Sequence, residues 1–154
     1  MRYPLCLLTA LFVGFAAQNA AAHCQVPCGI YGDQLRFQSM LEDQSTIEKA
    51  AVQVGELSED PTPQNINQMV RWVSTKESHA SNIQAVIADY FMAQRIKADG
   101  DNYGPKLMTA HAVMVAAMKA KQSSTPETAV ALKKAIFDFY KAYEGKDPEM
   151  HSHD

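Results

Sequence analysis

Near the start of the chain, a histidine and two cysteines fall within six residues: His23-Cys24-Gln25-Val26-Pro27-Cys28, continuing as Gly29-Ile30-Tyr31. Thiolates and imidazoles are strong donors to late transition metals. The backbone joins them if His23 is the first residue of the working chain. Its free α-amine and the Cys24 amide nitrogen are then separated by one α-carbon and one carbonyl, so a metal bound to both closes a five-membered chelate ring. The Cys24 amide nitrogen and its own thiolate close a second ring. Cys28, returned by a turn that Pro27 and Gly29 permit, offers the fourth planar donor, and the His23 imidazole remains as an axial ligand. A planar set of two nitrogens and two sulfurs favours Ni(II) or Cu(II), whereas zinc prefers a tetrahedron. Thiolate donation stabilises a higher oxidation state such as Ni(III), and loss of the thiol protons links binding to pH. Two cysteines in an exported chain also fit a single disulfide. Both readings stay open on these residues alone.

The preceding 22 residues decide whether His23 is exposed. Arg2 is the only charge before an apolar run from Leu5 to Ala17, and the run ends in Gln18-Asn19-Ala20-Ala21-Ala22. A basic start, a short apolar stretch and a small-x-small end describe a Sec-type signal peptide (residues 1–22), cleaved after Ala22 by signal peptidase. The run falls short of the roughly 20 residues of a membrane span; an uncleaved anchor is the alternative. Removing 22 of 154 residues leaves 132, one ordinary domain, and the third cysteine, Cys6, departs with the leader. The expected location is secreted or periplasmic. The net charge of −3 and the lack of a Lys/Arg stripe argue against a nucleic-acid partner. No later segment reaches membrane-spanning length.

The elements that must carry this segment read as helices. Asp33 is placed to cap a first helix over about 34–57, with Phe37, Met40, Gln44, Ile47, Ala51 and Val54 on one face, all apolar but Gln44. Thr62 caps and Pro63 opens a second, long helix reaching about Lys97, with Ile66, Met69, Val73, Ala80, Ile83, Ile87 and Tyr90 on its inner side. A glycine-containing loop over 98–104 precedes a third helix opened by Pro105, with Leu107, His111, Met114 and Met118 as its stripe. Ser123-Ser124-Thr125-Pro126-Glu127 breaks the chain again. The fourth helix carries Ala129, Leu132, Ile136, Phe139 and Tyr143 and ends at Gly145 and Pro148. The expected class is all-α: an antiparallel up-down-up-down four-helix bundle over 32–146, with the metal-binding hook at 23–31 and a polar tail at 147–154. The surplus of Ala and Met on the helix faces points to further burial against copies of the same chain.

The H-C-x-x-P-C-G-x-Y pattern at the processed N-terminus, followed by four helices, resembles the nickel superoxide dismutases. Residues 23–31 carry the resemblance most specifically. The Asp89-Tyr90-Phe91 stretch and the helix order extend it over the mature chain. The resemblance implies one nickel ion per subunit, held by the α-amine and imidazole of His23, the amide and thiolate of Cys24 and the thiolate of Cys28. It implies that Tyr31 stands near the vacant axial face, ordering water or a small anion, with Pro27 and Gly29 forming the turn. The substrate would be superoxide, dismuted to oxygen and hydrogen peroxide by Ni(II)/Ni(III) cycling, and the assembly a homohexamer. The chain departs from the pattern at Gln25, where family members often carry Asp. It also departs at Ser39, where an acid orienting the first imidazole is expected; Gln38 or Glu42 could substitute. An arginine expected in the second helix has no match, though Arg71 and Lys76 are nearby.

Other residues read as structural. His79 falls on a helix surface or interface, His111 in the core, and His151 and His153 in the tail. The mature methionines read as core filler. Two alternatives to a redox enzyme are a secreted metal-binding or metal-delivery bundle without turnover, and a helical interaction module with a Cys24–Cys28 disulfide.

Overall fold

The computed structural model describes residues 32–148. They form α1 (Asp33–Ser58), α2 (Pro63–Ala85) continuing into a π-helical segment (Val86–Arg95), α3 (Tyr103–Gln122) and α4 (Pro126–Glu144), with no strand among the described residues. The helix boundaries follow local chemistry. Thr62 accepts a hydrogen bond from the Asn65 amide at its side-chain oxygen, and Pro63 fills the first turn, as expected. Gly145 ends α4 in the left-handed conformation at φ 74°, which glycine adopts without Cβ strain, and its amide donates to the Lys141 carbonyl. Asn102 takes the same left-handed conformation before α3, which starts two residues ahead of Pro105.

Cross-helix hydrogen bonds set the directions. Along α1 and α2 the pairs run from Asp43–His79 to Asp33–Tyr90, so the residue numbers rise on one helix as they fall on the other. Lys76 meets Ala120 and Gln84 meets Met114, making α2 and α3 antiparallel. Gln44 meets Ala129 while Tyr140 meets Gln34, making α1 and α4 antiparallel. The bundle is therefore the expected up-down-up-down arrangement.

The core runs through Phe37, Met40 and Ile47 of α1, Ala80, Ile83 and Ile87 of α2 and its extension, and Leu132, Ile136 and Phe139 of α4. The stripes expected on α1 and α4 lie inside, apart from the half-buried Val54 and Tyr143. The one polar member of the α1 stripe is explained by its contacts: buried Gln44 donates to the Ala129 carbonyl and to Glu48, both at 3.0 Å. Aromatic rings fill one end of the core. Phe91 packs against Phe37 and Phe139 at centroid distances of 4.9 Å each and against Tyr143 at 5.1 Å.

Three expectations are corrected. The fully buried face of α3 is Ala110, Val113, Ala117 and Ala120; of the expected stripe, Leu107 and Met114 are half-buried against the core, whereas His111 and Met118 are exposed. Small side chains let α3 sit close to its neighbours, which pushes the larger ones outward. Ile66 and Val73 of α2 are also exposed, because the first turns of α2 lie beyond the ends of α3 and α4. Asp33 does not cap α1. Gly32 takes the cap position, and the Asp33 carboxylate turns to other helices.

That overhang gives the bundle an arm. Lys76 lies level with the end of α3, and Gln44 with the first turn of α4. The α1–α2 hairpin beyond them projects roughly 15–20 Å at 1.5 Å per residue. Val52, Ile66, Val70 and Val73 are 40%, 46%, 61% and 41% exposed on it. No helix among the described residues is long and apolar enough to cross a membrane.

Candidate functional site

His23, Cys24, Pro27, Cys28, Gly29 and Tyr31 lie outside the described residues, as do Gln25 and the tail histidines His151 and His153. The bundle end to which residues 23–31 are joined is described, because the chain passes through Gly32 into α1. That end gathers the start of α1, the π-helical segment, the start of α3 and the last turn of α4.

A single carboxylate ties three of these elements together. Asp33 Oδ1 accepts from the Tyr90 hydroxyl at 2.5 Å. Its Oδ2 accepts from Arg95 Nη2 at 2.7 Å and from the Tyr143 hydroxyl at 2.9 Å. The π-helical segment makes this possible. Its wider turn, marked by the Ile96 amide donating to the Phe91 carbonyl five residues back, brings Tyr90 and Arg95 to the same carboxylate. Cations surround the two phenols: Arg36 and Arg95 each lie 5.8 Å from the Tyr90 ring centroid, and Lys106 lies 5.3 Å from that of Tyr143.

These contacts fix the protonation states. Burial pushes the Asp33 carboxyl up. Hydrogen bonds from Arg95, Tyr90 and Tyr143, with the Arg95 charge, outweigh it and hold the group below its ordinary value. Burial, reinforced by the bond to Asp33, pushes Tyr143 up to about 12 and raises Tyr90 as well. The Arg95 guanidinium is held charged chiefly by its bond to Asp33. At neutral pH the cluster is one carboxylate, one guanidinium and two neutral phenols.

The residues considered as outer partners of the metal are also placed. Ser39 is half-buried on α1, and Gln38 and Glu42 are exposed on the same helix. Arg71 is exposed on the arm. Lys76 is 2% exposed, and its ammonium donates to the carbonyls of Ala120, Lys121 and Ser123, which places it at the end of α3 away from Gly32. His79 Nδ1 lies 2.5 Å from Asp43 Oδ1, bridging α1 and α2, as its reading as an interface residue allows. Among the described residues, no three His, Cys, Asp or Glu side chains are grouped to hold a metal ion.

Sequence reasoning missed the Asp33 cluster. Its partners lie 57, 62 and 110 residues away in the chain, and a short-range pattern carries no trace of them.

His23, Cys24 and Cys28 carry an imidazole and two thiols, side chains of the kind that late transition metals such as nickel bind. The family model for nickel-containing superoxide dismutase matches residues 18–146, which include that segment and all four helices. No curated protein and no solved structure matches the chain. With a match over more than half its length, the chain belongs to the nickel-containing superoxide dismutase family, and it is a superoxide dismutase that uses nickel.

Proposed function

We propose that this protein is an exported nickel superoxide dismutase whose metal is held by His23, Cys24 and Cys28 after cleavage behind Ala22. The observation that carries the reading is the H-C-x-x-P-C segment, inside the family match and directly after a signal-peptide pattern. Cleavage is part of the chemistry, because only a free His23 supplies an α-amine next to the Cys24 amide. Both cysteines bind as thiolates, and the Cys24 amide as an amidate, so metal binding releases protons. Nickel bound there supplies one-electron chemistry between the +2 and +3 states. The overall balance is two superoxide and two protons giving one oxygen and one hydrogen peroxide.

The chain's own residues shape the surroundings. Pro27 and Gly29 would permit the turn by which Cys28 reaches the same metal ion as Cys24. Tyr31 would order water or the small anion beside the metal and exclude larger ligands. Tyr31 precedes Asp33 by two residues in the chain, and about the Asp33 cluster Arg36, Arg95 and Lys106 concentrate positive charge. Such a charge favours the approach of an anion.

The assembly we propose is a homohexamer acting in antioxidant defence in the periplasm or outside the cell. The valine and isoleucine side chains exposed on the arm support self-association. A metal-delivery role without turnover has no observation in its favour. The processed protein, assayed for superoxide decay alongside Cys24→Ser and Cys28→Ser, tests the reading. Activity that disappears with either thiol supports it, and activity unchanged in both variants contradicts it.

A further inference from the structure

Asp33 begins α1, yet its carboxylate makes no bond to that helix's free amides. All three of its donors come from elsewhere: two from the π-helical segment and one from the last turn of α4. Gly32, at the cap position, has no side chain to replace the missing cap, and the first amides of a helix fray without one. The first turn of α1 therefore depends on Asp33 being held from outside. The side chain is 19% exposed and its guanidinium partner 45%, so the tie sits at the rim of the bundle end and not in its core.

We infer that Asp33 is a positioning residue: it fixes the root of the N-terminal segment against the π-helical segment and α4, and so sets where the metal-binding residues are presented. The inference rests on the reading of residues 23–28 as the nickel site. Covalent geometry keeps the Cα of Tyr31 within about 7 Å of that of Asp33, whatever path the segment takes. Holding Asp33 therefore holds the attachment of Tyr31. Releasing it frees the first turn of α1, and each backbone residue that metal binding must then order lowers affinity by about tenfold.

The experiment compares the processed chain with Asp33→Ala, Asp33→Glu and a control, Asp43→Asn. The control breaks the other carboxylate bridge from α1, ten residues further along the helix. Amide hydrogen exchange is followed by mass spectrometry in the nickel-free proteins, and nickel affinity by competition with a chelator. In Asp33→Ala, exchange over the first hydrogen-bonded amides of α1, residues 36–39, should accelerate at least tenfold and nickel affinity fall at least tenfold, with helical content retained. Asp33→Glu should recover part of both, and Asp43→Asn should change neither by more than about twofold. Unaltered exchange and affinity in Asp33→Ala would overturn the inference, as would equal effects from Asp43→Asn. An unaltered chain that takes up no nickel contradicts the metal-site reading alone, because exchange in the nickel-free proteins decides the anchoring by itself.

Discussion

Lys76, from the middle of α2, donates its ammonium to the Ala120 carbonyl at 2.5 Å and to Lys121 and Ser123 at 2.8 and 2.7 Å, closing the end of α3. The last carbonyls of a helix have no partner within it and carry the negative end of its dipole, so a buried cation there satisfies both. Removing the ammonium strands the carbonyls in a place that water reaches poorly. Lys76→Met should lower unfolding stability by about 2 kcal/mol, within the range for unsatisfied buried polar groups. Urea unfolding followed by circular dichroism measures it, and a loss below about 0.5 kcal/mol would show that the carbonyls find other partners.

The Asp33 cluster predicts a particular response to alkali. Tyr143 has its folded value raised to about 12 from an ordinary 10.0, and Tyr90 is raised too. An acid whose folded value is raised binds its proton more tightly in the folded state. Its contribution to stability is therefore complete below pH 10 and is lost as the pH climbs through about 12. Absorbance titration of tyrosinate should show two tyrosines ionising late, together with unfolding. Asp33→Asn should advance both.

The arm yields a prediction about assembly. Val70 is 61% exposed, so a charge there leaves the single-chain fold unstrained. Val70→Glu should reduce the molar mass measured by light scattering and leave helical content unchanged. An unchanged mass would remove the arm from the interface.

How far the sequence discloses the molecule depends on the range of the interaction. The α4 stripe through Ala129, Leu132, Ile136 and Phe139 is legible because large apolar residues recur at helical spacing beside polar ones. On α3 the contrast fails. Alanines, valine and methionines surround the helix, and spacing alone favours the bulky Met118 over Ala117, although close packing buries the alanine. Ile66 and Val73 are legible as apolar, but among the described residues α3 and α4 do not extend alongside them. The π-helical turn and the convergence of Tyr90, Arg95 and Tyr143 on Asp33 arise only when distant segments meet. The metal segment is the opposite case. Its donors are neighbours in sequence, so chelate chemistry can be reasoned out from His23, Cys24 and Cys28 directly.

The most direct test of the central claim is the intact mass of the naturally processed protein, combined with its metal content. The account predicts a chain that begins at His23 and carries one nickel per subunit. A chain beginning elsewhere would lack the α-amine and amidate donors as assigned. That result, or a chain beginning at His23 that holds no nickel, would contradict it.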